Sequence, residues 1–454
     1  MASSQLLRNL TDLIDKTPIA DTHEHLLEES SRTRPITEED RATTFTTRWR
    51  LHDLSIYFSH YMESDLVVAG MSEADMKTML SDLTPPEKKW ALIKPFWEKA
   101  KNTGYGLNVR ESLFMLHGER DIHDGNWRKI DDAVRAAIKP GYYKTVLRDH
   151  ANIDHCQVNS LEVEPFCETK QPDLLLQDVA FSSLSNVGNI PRMESLMDRE
   201  IATIDDWEAA IAWAFETYGP RAVAAKSNAA YTRRLDYDDV PKEAVRDAFA
   251  RFRKDAGSLK PGEWKALSDY SFNESVRQAT AQGLPVKLHT GYYAGHNGMP
   301  LERLKTNASD MCDLLRRHPK TLFVMMHITY PYQDEAIAVA KHYANATIDM
   351  CWAWIVNPAA GVRFLKEFLM AAPSNKVFTF GADYGPVELV PGHARIARRG
   401  IARALFELVD EGWIAEEQLE GLVERLMLGN AYEWFPIEKA KAAWKQGKGR
   451  MGPA

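Results

Sequence analysis

Short apolar runs alternate with longer stretches of helical periodicity through most of this chain. From Asn152 onward the runs at 153–158, 174–181, 222–226, 285–289, 322–327, 346–351 and 377–383 read as strands. Between them, apolar positions at helical spacing predict helices over 205–218, opened by an acidic cap, and over 301–317, 333–343, 359–370 and 394–409. An eighth strand-like run, 18–25, stands near the N-terminus. It follows an amphipathic helix in which Leu6, Leu7, Leu10, Leu13 and Ile14 share a face. Strands alternating with helices predict a parallel sheet, and eight such units predict an α/β fold of the (β/α)8 TIM barrel type.

Two stretches interrupt the alternation. Residues 30–151 carry helical signals and few strand signals: Thr84-Pro85-Pro86-Glu87 opens a helix along which Trp90, Ile93, Phe96, Trp97 and Ala100 recur at near-helical spacing. Asn102-Thr103-Gly104-Tyr105-Gly106 and Lys139-Pro140-Gly141 break the pattern. This is a large helical insertion after strand one, and Trp90, Trp97 and Trp127 read as its own small core. The stretch 241–282 is too long for one helix and breaks at Ser258-Leu259-Lys260-Pro261-Gly262, placing a smaller insertion at about 236–272. The expected organisation is therefore 1–29 for the first helix and strand, 30–151 for the insertion or cap, 152–436 for the rest of the barrel and 437–454 for a tail. Within that tail, 445–454 are expected to fray.

Composition narrows the class. The 454 residues are 44% hydrophobic and 26% charged with a net charge of −8, a globular composition without the basic surface that nucleic acid requires. No run approaches the 18 apolar residues of a membrane span. Cys156, Cys167, Cys312 and Cys351 form no Cys-x-x-Cys pair, so a reducing cytoplasm is the simplest expectation. Expected partners are a small-molecule substrate and further copies of the chain in a homo-oligomer.

The candidate chemistry lies at strand ends. In the first strand, Asp21-Thr22-His23-Glu24-His25 puts His23 and His25 on one face, where they could hold one ion. Fourteen histidines in 454 residues give roughly 0.4 such pairs by chance, so the pair gains meaning only from partners. Lys226, His289, His327 and Asp383 supply them at the ends of strands four, five, six and eight. His289 to His327 spans 38 residues and His327 to Asp383 spans 56, one and two βα units against roughly 31 residues per unit in a 250-residue barrel. No glycine-rich dinucleotide loop follows strand one, which disfavours a doubly wound sheet.

With these residues in order, the chain resembles the amidohydrolase superfamily. The matching elements are Asp21-Thr-His23-Glu-His25, Ala-Lys226-Ser-Asn-Ala-Ala-Tyr231, His289-Thr-Gly, His327 and Gly-Ala-Asp383-Tyr. The strand-four and strand-five forms are similar to the branch fused to glutamine-synthetase-like domains in some proteins, and the insertion is similar to that of uronate isomerases. The resemblance implies one or two divalent ions, zinc first and manganese or iron next, held by His23, His25, Lys226, His289, His327 and Asp383. In relatives with two metals the strand-four lysine is carboxylated, so a carbamate on Lys226 is an expectation; as an amine, Lys226 would bind an anionic substrate.

Imidazoles and a carboxylate suit a borderline ion that lowers the pKa of water toward ~7 and supplies hydroxide. Asp383 would then shuttle a proton, and Asp383, Lys226 and His327 are the catalytic candidates. The expected reaction is hydrolysis of a C–N bond, an amide first. Sugar-acid isomerisation, decarboxylation and di-iron oxygen chemistry are the alternatives on the same site, and a non-catalytic scaffold is the alternative outside enzymology. Loop residues Tyr231, Arg233, Tyr292, Trp352, Tyr384 and His393 are candidate substrate contacts, with His296, Trp354 and Glu388 beside them. Lys287, two residues before His289, is expected in a buried ion pair. His60, His117, His123, His150 and His155 read as packing or surface histidines.

Overall fold

The computed structural model describes residues 2–43, 45–159, 161 and 165–447. All eight expected strands form: β1 (Ile19–Glu24), β2 (Ile153–Val158), β3 (Leu175–Ala180), β4 (Ala222–Ser227), β5 (Val286–Leu288), β6 (Phe323–Met325), β7 (Ala346–Asp349) and β8 (Val377–Phe378). They make one eight-stranded sheet in sequence order. Pairings β1–β2, β3–β4, β4–β5, β5–β6 and β6–β7 are parallel. The Thr22 amide donates to the Phe380 carbonyl (3.0 Å) and the Asp383 amide to the His23 carbonyl (2.9 Å), so the first and last strands are also neighbours. This is the (β/α)8 barrel class. Every residue of β1, β3 and β4 is buried, as expected of parallel strands covered on both faces.

By backbone contacts the chain divides into two compact units. The first comprises Met1–Glu162, Tyr292–Leu301 and Asp349–Ala431. It holds the N-terminal helix Ala2–Lys16, β1, the insertion, β2, β8 and the long helix Val390–Asp410. Among the described residues the regular elements of the insertion are all helices, with Pro86–Ala100, Gly104–His117 and Trp127–Ala137 the longest. Pro86 opens the first of these, where its missing N–H costs nothing. Trp90, Trp97 and Trp127 are buried as expected, and the indole N–H groups of Trp90 and Trp97 donate to Asp124 (2.7 Å) and Asp121 (2.9 Å). The expected break at 102–106 is shorter than its glycines suggest. Thr103 caps the next helix through the Gly106 amide (3.1 Å), and a Cβ on Gly104 would lie 2.0 Å from the Ile355 carbonyl oxygen. Close approach, rather than a loop, requires glycine there.

The second unit comprises Val163–Gly291, Glu302–Ile348 and Tyr432–Ala454. Helix Ile204–Tyr218 is capped by Thr203 in a capping box with Asp206, so the acidic residue supports the cap rather than forming it. The stretch expected to hold the smaller insertion forms two helices, Lys242–Lys254 and Glu263–Gln282, with Gly262 at φ +84 opening the second. The expected tail is helical over Ile437–Lys445, with Trp444 buried and its indole donating to the Arg221 carbonyl (3.0 Å). Of the segment expected to fray, 448–454 lies outside the described residues. No described helix is long and apolar enough to cross a membrane.

Candidate metal centre

In the first unit, β1 delivers His23 within the strand and His25 just beyond it, their rings edge to face at 4.7 Å between centroids. Asp383 follows β8 in a left-handed backbone conformation (φ +62), which for a non-glycine residue costs on the order of 1–3 kcal/mol. Its Oδ1 lies 3.3 Å from His23 Nε2 and 3.2 Å from His25 Nε2, and all three residues are buried. Two ligand atoms each about 2.05 Å from a tetrahedral ion stand roughly 3.3 Å apart. The Asp383 oxygen therefore stands from each imidazole nitrogen at the spacing one zinc-like ion requires, and the three residues offer ligand atoms within 4.8 Å of one another.

Proton bookkeeping supports the same reading. His25 Nδ1 is 2.7 Å from the Asn159 carbonyl oxygen, which can only accept, so the proton sits on Nδ1. Nε2, the nitrogen left to act as a ligand, then faces the Asp383 carboxylate oxygen. A carbonyl fixing the far nitrogen is the usual support of a metal-binding histidine.

Buried acids brace this group. Asp21 Oδ1 accepts from the His23 amide (3.2 Å) and the Ala382 amide (3.3 Å), and Glu24 Oε2 accepts from the Tyr384 amide (2.6 Å). Burial pushes Asp21 up to about 7 and Glu24 well above the usual carboxylate range, the adjacent acid adding to the effect on Glu24. Asp349, at the end of β7, accepts from the Thr22 hydroxyl (2.7 Å) and the Cys351 amide (2.8 Å).

In the second unit, His289 and His327 follow β5 and β6, with His289 Nδ1 and His327 Nε2 3.0 Å apart. This is the separation of an N–H···N hydrogen bond between the rings, and it also lies between the roughly 2.9 Å of right-angle ligands and the roughly 3.3 Å of tetrahedral ones about one ion. His327, Ile328 and Thr329 are all left-handed (φ +59, +48 and +53). The His289-Thr290-Gly291 turn packs on them: a Cβ on Gly291 would lie 2.6 Å from the Thr329 carbonyl carbon, and Gly291 itself has φ +74. Lys226 is buried at the end of β4 and donates to Asn228 Oδ1 (2.5 Å). The ion pair expected for Lys287 is present, with Nζ 2.7 Å from Asp178 Oδ2 and neither side chain exposed.

The candidate substrate contacts divide. Tyr231, whose ring is 4.5 Å from that of His289, and Tyr292, 5.8 Å from that of Trp352, are half-buried and retain surface. Others are engaged internally. Arg233 pairs with Asp269 (2.5 Å) and lies over Tyr237, while the Tyr384 hydroxyl accepts from Asn108 (2.9 Å). His393 is buried, its Nδ1 3.1 Å from the Ala382 carbonyl oxygen, and burial lowers its pKa to about 3. Trp352 is stacked on Tyr61 at 4.7 Å. Trp354 fills the space left by Gly361 and Gly400, Glu388 pairs with Arg32, and His296 pairs with Glu73 (2.7 Å). Sequence reasoning did not single out Tyr61 and Asn108, insertion residues that reach the Asp383 segment, and read as packing or surface a third, His60, which stacks on Tyr61 and accepts from the Gly385 amide. It also missed Asn159, whose only signal is its place directly after a predicted strand.

Comparison with known proteins decides the family. The amidohydrolase family model matches residues 188–437, more than half of the chain. The chain belongs to the amidohydrolase family. The matched region of this amidohydrolase chain contains Lys226, His289, His327 and Asp383 but not β1. Protein fluG of Emericella nidulans is 31% identical over 168 residues, covering 35% of this chain and 19% of that protein, so the shared stretch is under a fifth of the relative's length. Among solved structures, glucuronate isomerase from Caulobacter crescentus aligns with TM-score 0.72 at 16% identity over 95% of this chain and 94% of its own. Uronate isomerase from Thermotoga maritima aligns at 0.73 and 14% identity over 95% and 97%. A chain from Lactobacillus casei described as a metal-dependent hydrolase aligns at 0.65 and 16% identity over 95% and 98%. At these identities the structural likeness establishes the fold.

Proposed function

We propose that this chain is a metal-dependent hydrolase that cleaves a C–N bond, an amide in the simplest case, of a small molecule. The observation that carries the reading is the approach of His23 and His25 Nε2 to one oxygen of Asp383, at 3.3 and 3.2 Å, with the His25 proton held on the opposite nitrogen by Asn159. Residues His23, His25 and Asp383 would hold a divalent ion, zinc first. His289 and His327 are proposed as ligands as well, because their nitrogens are spaced for an ion and they follow successive strands of an amidohydrolase barrel. A bound ion supplies Lewis acidity and brings the pKa of water toward ~7.

The chain's own groups do the rest. Asp383 would take a proton from the attacking water and return it to the departing amine. Lys226 would bind an anionic group of the substrate as an amine, or add a ligand if carboxylated. Tyr231 and Tyr292 would meet the substrate with their remaining surface.

The test is elemental analysis followed by assay. Purified protein should carry one or two divalent ions per chain, lose turnover of small amides on chelation and regain it with zinc or manganese. His25→Ala should lose metal and turnover together. Full turnover by metal-free protein would overturn the reading. A second reading, isomerisation of a sugar acid, is supported by the alignment of both isomerases over 95% of the chain, insertion included. Conversion of a hexuronate with no incorporation of solvent oxygen would select it over hydrolysis.

A further inference from the structure

We propose that Tyr61, carried by the insertion, is a positioning residue for Asp383: its hydroxyl, donating to the Asp383 main-chain carbonyl, fixes the left-handed turn that presents the carboxylate to His23 and His25. The inference rests on the metal-centre reading. The bond is 2.7 Å long and buried, and Tyr61 is only 4% exposed. A non-glycine residue holds a left-handed conformation only where its surroundings over-determine it. Here they do so in three consecutive residues. Tyr61 holds the carbonyl of Asp383, Asn108 Nδ2 donates to the hydroxyl of Tyr384 (2.9 Å), and the Gly385 amide donates to His60 Nδ1 (3.2 Å). All three holding groups come from the segment between β1 and β2, which therefore shapes the centre as well as covering part of the fold.

Packing alone does not explain the hydroxyl. The Tyr61 ring is stacked on Trp352 (4.7 Å, 26° between planes) and on Tyr105 (5.4 Å, 16°), and phenylalanine would keep both stacks. Tyr61→Phe thus removes one hydrogen bond to the backbone of a proposed ligand. Groups that orient metal ligands typically change affinity 10- to 100-fold when removed.

The experiment measures zinc affinity of the full chain by competition with a chromogenic chelator, alongside the melting temperature of each metal-free protein. Tyr61→Phe should bind zinc about 10- to 100-fold more weakly. Asn108→Ala, which loosens the neighbouring residue of the same turn, should weaken binding by a smaller factor and keeps the test usable if Tyr61→Phe fails to fold. Tyr105→Leu removes a stacking partner but leaves the hydroxyl, so it should melt lower yet bind zinc within about threefold of wild type. Wild-type affinity in both Tyr61→Phe and Asn108→Ala, or an equal loss in Tyr105→Leu, would overturn the inference. Wild-type protein that takes up neither zinc, manganese nor iron would sink the metal-centre reading first, and this inference with it.

Discussion

Breaking the Lys287–Asp178 pair is the sharpest test of how the second unit's interior is held. The ammonium and carboxylate are 2.7 Å apart with both side chains fully buried, and the Lys287 nitrogen also lies 5.1 Å from the Phe435 ring centre. Lys287→Met keeps the stem and removes the charge, leaving the Asp178 carboxylate where water cannot solvate it. Asp178→Leu leaves the ammonium in the same position. Removing one partner of such a pair costs about 3–5 kcal/mol, because the surviving charge keeps its desolvation penalty and loses its compensation. Replacing both at once removes both penalties, and apolar replacements of buried pairs are often neutral or stabilising. The two substitutions should therefore be strongly non-additive, with the double variant more stable than either single one and a coupling energy on the order of 3 kcal/mol. Urea unfolding of metal-free wild type, both singles and the double, followed by circular dichroism at pH 7, measures the cycle. Singles that each cost under about 1 kcal/mol and add in the double variant would refute the reasoning.

Two further outcomes follow from the first unit. A Cβ on Gly385 would lie 2.2 Å from Trp49 Cε3, and Trp49 is buried, so Gly385→Ala should destabilise by about 1–3 kcal/mol through overpacking and also weaken zinc binding by moving the Asp383 turn. An unchanged melt and an unchanged chelator competition would contradict that packing. His117, whose Nε2 is 2.7 Å from the Tyr57 hydroxyl, has its pKa lowered by burial to about 4. The unfolded chain takes up this proton near pH 6.5, so the site costs no stability above that pH. As pH falls from 6.5 to 4 it costs progressively more, up to about 3 kcal/mol. His117→Gln should lose stability less steeply across that window, and a constant difference from wild type between pH 7 and 4 would show that His117 is not buried neutral.

The alternation of apolar runs and helical stretches was enough to place all eight strands, because a parallel strand buried on both faces is mostly apolar, and buried polar residues such as Asp21, His23 and Glu24 of β1 stand out as site candidates. β8 shows where that logic stops. Its regular part ends at Phe378, and Asp383 reaches the histidines only through a left-handed turn, a conformation set by neighbours rather than by local propensity. The histidines, Lys226 and Asp383 could be nominated as candidate ligands because each ligand class has a fixed chemistry and each stands at or just beyond a strand end, where period-2 geometry puts His23 and His25 on one face. What the loop residues touch was not legible: Arg233, Tyr384 and His393 were expected to meet substrate by type and position, and their partners in the structure are Asp269, Asn108 and the Ala382 carbonyl. These pairings join residues tens to hundreds of positions apart, or follow from the path of a turn.

The insertion makes the same division. Its helical character was plain in the periodicity of Trp90, Ile93 and Trp97, but nothing in the spacing announced that Tyr61, Asn108 and His60 would hold Asp383, Tyr384 and Gly385 one after another. The sequence by itself determined which segments must be strand or helix and which side chains could bind a metal, since those depend on burial period and ligand chemistry. Only the tertiary structure decided which polar groups satisfy one another and what holds the Asp383 turn, because a buried donor takes whichever acceptor the packed chain brings within reach.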